Sequence, residues 1–249
     1  MSKLTNKIAV VTGGNSGIGL ATAQAYINEG AYVVITGRNQ EKLDAAAKQL
    51  GVGATAIKAD VTKLDELDAL FAQVKEKYGK IDVLFANAGG AKIAPITDVT
   101  EEHFDTTFNT NVKGLYFTIQ KALPLLVDGA SVILNASIVS TKGIAGLSVY
   151  SATKAAVRSF ARTLTSELKD RGIRVNVISP GPIETPFYGE LGVSEEVVND
   201  FGADVIKQVP QGRFGKAEEI AGAAVFLAGG DSSYITGIEL TVDGGMAQV

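Results

Sequence analysis

The sequence predicts an α/β fold: a Rossmann-like doubly wound parallel β-sheet of about seven strands, flanked by helices on both faces in three αβα layers. Three observations carry this expectation. Short apolar runs rich in β-branched residues recur along the whole chain, helical patterns separate them, and most runs are apolar on both faces. Strands covered by helices on each side must be apolar on each side, whereas a half-exposed strand would alternate. The alternation has no break, so residues 1–249 are expected to form one domain.

Taken in order, the first strand is expected at 8–12 (IAVVT), and a glycine-rich turn leads from it into a helix at 17–29. A second strand at 32–36 (YVVIT) precedes a helix at 40–50, and a third at 54–59 (ATAIKA) precedes one at 63–78. Strand four is read at 83–86 (VLFA), followed by a long helix at 101–127. Strand five, 131–135 (SVILN), leads to a helix at 149–171; strand six, 174–178 (RVNVI), and a helix at 217–229 precede the last strand, 238–242 (IELTV). Right-handed crossovers would connect them. Between about 185 and 210 no strand pattern appears, and Phe187, Tyr188, Leu191, Val197, Val198 and Phe201 mix with polar residues. An insertion beyond a strand's carboxyl end is a candidate lid over a ligand.

Helices 101–127 and 149–171 look too apolar for an exterior. One offers Phe104, Phe108, Val112, Leu115, Tyr116 and Ile119; the other offers Ala152, Ala155, Ala156, Val157, Phe160, Leu164 and Leu168. Two readings stay open at this point: a broad core-facing stripe, or a second buried face between subunits, giving a homotetramer or homodimer.

Composition narrows the function. With 23 basic and 27 acidic residues the net charge is −4 and no basic cluster occurs, which disfavours nucleic acid and anionic membranes as partners. There are no cysteines, so disulfides and thiolate chemistry are excluded. The single histidine, His103, sits at an expected helix start and reads as a solvated surface residue, which leaves a Ser-His-Asp triad without its base. No metal site is expected. The N-terminus merges into a strand pattern rather than a signal peptide, and no apolar run approaches a membrane span; a cytoplasmic protein is expected.

After the first strand comes Thr12-Gly13-Gly14-Asn15-Ser16-Gly17-Ile18-Gly19. Glycines there permit a tight turn and close approach of backbone N–H groups to a diphosphate, which the following helix N-terminus would face. A dinucleotide is therefore the expected ligand. At the end of strand two an NAD site usually carries a carboxylate for the ribose 2′-hydroxyl. Here Val34-Ile35-Thr36-Gly37-Arg38-Asn39 has none until Glu41, and Arg38 can hold a phosphate bidentately. NADP(H) is favoured, with NAD(H) as the alternative.

In Val149-Tyr150-Ser151-Ala152-Thr153-Lys154, a tyrosine and a lysine stand four residues apart, on one helix face. Ser148 would cap this helix. A cation and a helix N-terminus near a phenol would lower its pKa and ready it for proton exchange, although core tyrosines beside solvated lysines are far commoner.

In this order and spacing the motifs resemble the short-chain dehydrogenase/reductase family, over nearly the whole chain. The glycine loop, with Gly13, Asn15, Ser16, Gly17, Ile18 and Gly19, resembles the family's cofactor motif. Asp60-Val61 resembles the pair placed against adenine, and Asn87-Ala88-Gly89 the motif that steadies the sheet and lines the cofactor site. Pro180-Gly181-Pro182-Ile183-Glu184-Thr185 resembles the stretch that holds the nicotinamide carboxamide, and Asp243-Gly244-Gly245 the C-terminal strand exit. Asn15-Ser16 departs from the basic residue many NADP-preferring members carry there, leaving Arg38 as the main 2′-phosphate ligand. The resemblance implies that Tyr150 is the general acid/base and that Lys154 lowers its pKa and binds ribose. It also implies that Ser137 stabilises the substrate oxygen and that Asn111 holds a water linking Lys154 to solvent. The implied reaction interconverts a carbonyl compound and its alcohol by hydride transfer. A non-catalytic NADP-binding regulator and a same-fold epimerase or dehydratase are the competing readings.

Overall fold

The computed structural model describes residues 2–186, 191, 202 and 205–249. Its sheet contains β1 (Ile8–Thr12), β2 (Tyr32–Gly37), β3 (Ala54–Lys58), β4 (Ile81–Ala86), β5 (Leu126–Asn135), β6 (Arg174–Pro180) and β9 (Glu239–Val242). The spatial order is β3-β2-β1-β4-β5-β6-β9 and every pairing is parallel. Two short strands, β7 (Ile183–Glu184) and β8 (Gly215–Lys216), pair separately. Chain order reverses between β1 and β4, so the loops leaving those strands diverge and open a crevice at the carboxyl edge of the sheet.

Because successive strand residues point to opposite faces, the two faces have separate cores. Val10, Val34, Leu84, Val132 and Val175 pack with Leu67 and Leu70 of α3 (Leu64–Tyr78), Leu115 and Ile119 of α5 (Leu115–Ala122), and Val157 and Ala161 of α6 (Ser148–Glu167). Their neighbours Ala9, Val11, Val33, Val83 and Ile133 pack with Ala23 and Tyr26 of α1 (Gly17–Asn28), Leu43 of α2 (Gln40–Leu50), and Ile220 and Ala224 of α7 (Ala217–Ala228). This double covering is why the strands read as unbroken apolar runs.

Several expected boundaries move. The helix expected at 101–127 is α4 (Glu101–Phe108), a π-helical turn (Asn109–Gly114) and then α5, which ends at Ala122. Pro124 cannot continue a helix, and the apolar Leu126 belongs to β5, where it pairs with Ile81. The expected helix 149–171 is α6 plus a 3₁₀ turn (Lys169–Arg171) closed by left-handed Gly172. Ser148 is its first residue rather than its cap; Leu147 occupies the cap position, with no side-chain bond.

His103 also departs from expectation. It is half-buried and its Nε2 is enclosed without a hydrogen-bond partner among the described residues, because α4 packs against α6. The two apolar helices divide their stripes: Leu115, Ile119, Val157 and Leu164 enter the core, while Phe104 and Tyr116 stay exposed. Phe104 stacks on Phe108 at 4.5 Å, and Tyr116 meets Phe160 at 5.3 Å. Among the described residues no helix is long and apolar enough to cross a membrane, and no group of acidic or histidine residues could hold a metal ion.

Candidate active site

A cavity of about 350 Å³ opens at the carboxyl edge, and the residues singled out above for cofactor or catalysis line it, apart from Asn111 and the motif residues Thr12, Gly14 and Glu184. Its floor is the turn from β1 into α1. Gly13 and Gly17 have positive φ (64° and 49°). At Gly19 a Cβ would sit 2.1 Å from the Gly13 carbonyl oxygen, so only glycine lets α1 approach the turn this closely. Ser16 takes the cap position in extended backbone without a side-chain bond to the helix. Among the described residues no side chain caps the first turn of α1, and Ser16, Gly17, Ile18 and Gly19 line the cavity.

A hydrogen-bond chain ties the strand ends together beneath this turn. Thr12 Oγ1 accepts from the backbone N–H of Asn87 and of Ala88, both at 3.0 Å. Asn87 Nδ2 donates to the carbonyls of Thr12 (2.9 Å) and Gly13 (3.3 Å), and Asn135 Nδ2 donates to Asn87 Oδ1 (2.8 Å). Lys154 Nζ donates to the Asn135 carbonyl at 2.8 Å. Asn135 is the position that sequence reasoning missed, and Thr12, quoted there as the start of the glycine motif, was given no role of its own. The available signal was a polar residue closing each of two otherwise apolar strands.

At the far end, exposed Arg38 has no ion-pair partner among the described residues, and Lys42 lines the same end. Gly37 makes room for Asn15, whose Oδ1 would lie 2.5 Å from a Cβ there. Asp60 Oδ1 accepts from the N–H and hydroxyl of Thr62 (2.9 and 2.8 Å), which orients the loop after β3 with Val61 buried behind it. Opposite, Pro180, Gly181, Ile183 and Thr185 form the wall beyond β6, and Thr185 Oγ1 donates to the Ile183 carbonyl at 3.4 Å.

Ser137 follows β5, and its Oγ accepts from the Val139 N–H at 3.4 Å. Tyr150, in the first turn of α6, hydrogen-bonds the Ser137 side chain. Lys154 is 4% exposed, and its Nζ lies 5.5 Å from the Tyr150 ring centroid. The expected lowering of the phenol pKa is not what the protein's own groups produce. Burial pushes Tyr150 up to about 12, only partly offset by the Ser137 hydrogen bond, and pushes Lys154 down to about 8. The ammonium binds a carbonyl rather than the phenol, so desolvation outweighs attraction.

Asn111 is buried on the π-helical turn. Its amide donates to the Gly90 carbonyl (2.9 Å) and Thr153 Oγ1 (3.1 Å), and its Oδ1 accepts from the Gly90 N–H (2.9 Å). The side chain clamps the loop after β4 to α6. Gly89 separates Asn111 from Lys154: a Cβ there would lie 3.1 Å from Asn111 Oδ1 and 3.5 Å from Lys154 Nζ. Of the expected lid, Phe187 and Tyr188 lie outside the described residues, as do Val197, Val198 and Phe201; buried Leu191 is described and lines the cavity.

The family model described as enoyl-(acyl carrier protein) reductase, of the short-chain dehydrogenase/reductase class, matches residues 13–247. The chain belongs to the short-chain dehydrogenase/reductase family. Members use a nicotinamide cofactor, and the protein is an oxidoreductase. The chain is 45% identical to the oxidoreductase asL5 of Sarocladium schorii, over 100% of this chain and 99% of that one. It is 35% identical to the 3-oxoacyl-[acyl-carrier-protein] reductase FabG of Thermotoga maritima, over 98% and 99%. A solved short-chain dehydrogenase/reductase of Brucella melitensis, titled a glucose/ribitol dehydrogenase, superposes with a TM-score of 0.92 at 33% identity, covering 99% of each chain. The residues present fit the family's cofactor: a glycine cradle that any Cβ would fill, a helix start that no side chain caps, and a cation at the adenosine end.

Proposed function

We propose that the protein is an NADP(H)-dependent reductase that interconverts a carbonyl compound and its alcohol. The observation that carries this reading is the junction of the Tyr150–Ser137 pair and buried Lys154 with a glycine-floored crevice, all lining one cavity. In this reading Gly13, Asn15, Ser16, Gly17, Ile18 and Gly19 hold the diphosphate, and Asp60 with Val61 takes the adenine. Asn87, Ala88, Gly89, Pro180, Gly181, Ile183 and Thr185 line the nicotinamide half, and Lys154 and Tyr150 face its ribose. When bound, the cofactor supplies the hydride and, once oxidised, a positive charge.

The chain supplies position and the proton. Ser137 and Tyr150 present two hydroxyls to one substrate oxygen, and Tyr150, protonated at neutral pH by its burial, donates as negative charge develops there. Lys154 places positive charge 5.5 Å from the ring, which favours the phenolate that remains. Asn111 holds the Gly89–Gly90 backbone beside Lys154 and forms one side of the path by which the proton is replaced. Arg38, with no ion-pair partner among the described residues and no carboxylate after it in sequence before Glu41, supports NADP(H) over NAD(H). The names of two relatives above, a 3-oxoacyl-[acyl-carrier-protein] reductase and a glucose/ribitol dehydrogenase, both describe carbonyl–alcohol interconversion. The exposed aromatic faces of α4 and α5 support a homotetramer or homodimer, and a cytoplasmic site of action belongs to the same reading.

The test is consumption of NADPH and of NADH against a panel of ketones and aldehydes. Tyr150→Phe should lower turnover by about 10²–10⁴-fold with cofactor affinity nearly intact. Arg38→Asp should reverse the NADP-to-NAD ratio of kcat/KM. Near wild-type turnover in the first variant, or an unchanged ratio in the second, refutes the respective assignment.

A further inference from the structure

The charged residues among the described lining of the cavity are Arg38, Lys42, Asp60 and Lys154, and three of these stand at the adenosine end. Beyond Tyr150 the described wall is apolar: Ile138, Val139, Ile144, Leu147, Val205 and Met246. These side chains belong to one packed cluster that also contacts Tyr150. A polyol needs side-chain donors and acceptors for each hydroxyl, and a wall without them strips water from the sugar with no replacement.

Met246 has a particular place in this wall. It is 1% exposed. The turn that carries it is built. Asp243 Oδ1 accepts from the Gly245 N–H (2.9 Å) and Oδ2 from the Ala247 N–H (2.7 Å). Gly244 and Gly245 take positive φ against Val209 and Pro210. Lys142, from the loop after β5, donates through Nζ to the Met246 carbonyl at 2.8 Å. The same loop carries Ile138, Val139 and Ile144, so the lysine ties the tail to the loop that supplies the neighbouring wall residues.

We infer that Met246 is the specificity-determining end wall of the substrate pocket, and that the substrate is an uncharged carbonyl compound whose remote portion is a hydrocarbon ending against it. The inference rests on the carbonyl-reductase reading for its chemistry, and its test separates the two. Methyl n-alkyl ketones from propyl to nonyl would be reduced with NADPH by the wild type and by Met246→Ala. Ribitol with NADP⁺ and an acetoacetyl thioester with NADPH serve as competitors. Unreactive N-methyl alkylamides of matched lengths report binding by ligand-observed NMR.

One methylene in an apolar pocket is worth about 10-fold or more in kcat/KM. Met246→Ala should therefore move the preferred chain two to three carbons longer and change the long-to-short ratio by at least about tenfold, with the KM for NADPH unmoved. The amides should follow the same shift. If that substitution prevents folding, Met246→Val gives the same comparison with a smaller step. An identical chain-length profile in wild type and variant overturns the inference, as does ribitol or the thioester outperforming every ketone. If no carbonyl is reduced but the amides bind with the Met246-dependent shift, the reductase reading fails and the apolar end wall stands.

Discussion

Replacing Asn87 by Asp keeps the side chain's shape and inverts one of its two ends. In the native protein Nδ2 points at two carbonyls, those of Thr12 (2.9 Å) and Gly13 (3.3 Å), while Oδ1 accepts from Asn135. The substitution keeps the accepting end and turns the donating end into an oxygen facing two oxygens. Each lost bond removes about 1 kcal/mol net, and two half-buried carbonyls left facing a like charge add about 1–2 kcal/mol more. The expected loss at pH 8 is about 3–4 kcal/mol, a large part of a typical domain's stability. The pH dependence is the sharper part of the prediction. The introduced carboxyl is neutral more readily when folded than when unfolded, so its folded pKa is raised above the ordinary value near 4. The variant's deficit therefore grows as pH rises between those two values, by at most about 1.4 kcal/mol per pH unit, and shrinks again on acidification. Urea unfolding at half-unit steps from pH 5 to pH 8 measures it, with Asn87→Ala as the reference that lacks the titrating group. A deficit that tracks Asn87→Ala at every pH, or one below about 1 kcal/mol at pH 8, would refute the hub role given to this side chain.

Three further outcomes follow from the same geometry. Gly19→Ala must push α1 away from the Gly13 carbonyl, now 2.1 Å from the site of the new Cβ; on the proposed reading a glycine turn displaced by about 1 Å should lower cofactor affinity, by fluorescence titration, about 100-fold. Lys154 is held at about 8 against an ordinary 10.5, so the unfolded state binds more protons between those values and stability rises with pH through that window. Lys154→Met relieves the cost of the buried charge and loses one hydrogen bond; below pH 8 the variant should unfold roughly 2 kcal/mol harder, and the gain should vanish as pH approaches 10.5, although turnover is lost. Glu239 accepts from Ser140 and Ser179, both at 2.6 Å, and pairs with Arg158 at 3.3 Å. Glu239→Ala strands that guanidinium and should cost roughly 2–3 kcal/mol by urea unfolding, while loosening the turn that carries Ser137 should lower kcat more than it raises KM.

What the residues alone determined is everything that depends on local pattern. Apolar runs of strand length with helical stretches between them require a covered parallel sheet, because only helices on both faces can bury both sides of Val10-Val11 or Ile133-Leu134. The glycine turn after β1 and the Tyr150–Lys154 spacing were legible for the same reason: each is a contiguous motif whose geometry its own backbone imposes. Boundaries set by competition between neighbouring elements were not legible. Leu126 suits a helix or a strand, and pairing with Ile81 decides it.

The tertiary structure alone decided how distant side chains share their hydrogen bonds and how deeply each is desolvated. Nothing near Asn111 in sequence reveals that its amide closes on Gly90 and Thr153, 21 and 42 residues away. Nor does the four-residue spacing reveal that Lys154 points at the Asn135 carbonyl, so that burial raises the Tyr150 pKa instead of attraction lowering it. Met246 becomes a pocket wall only because Asp243 and Lys142 fold the tail back over the sheet edge. A hydrogen bond or a desolvation cost belongs to a place in three dimensions, and the chain reaches that place only after the sheet has brought its ends together.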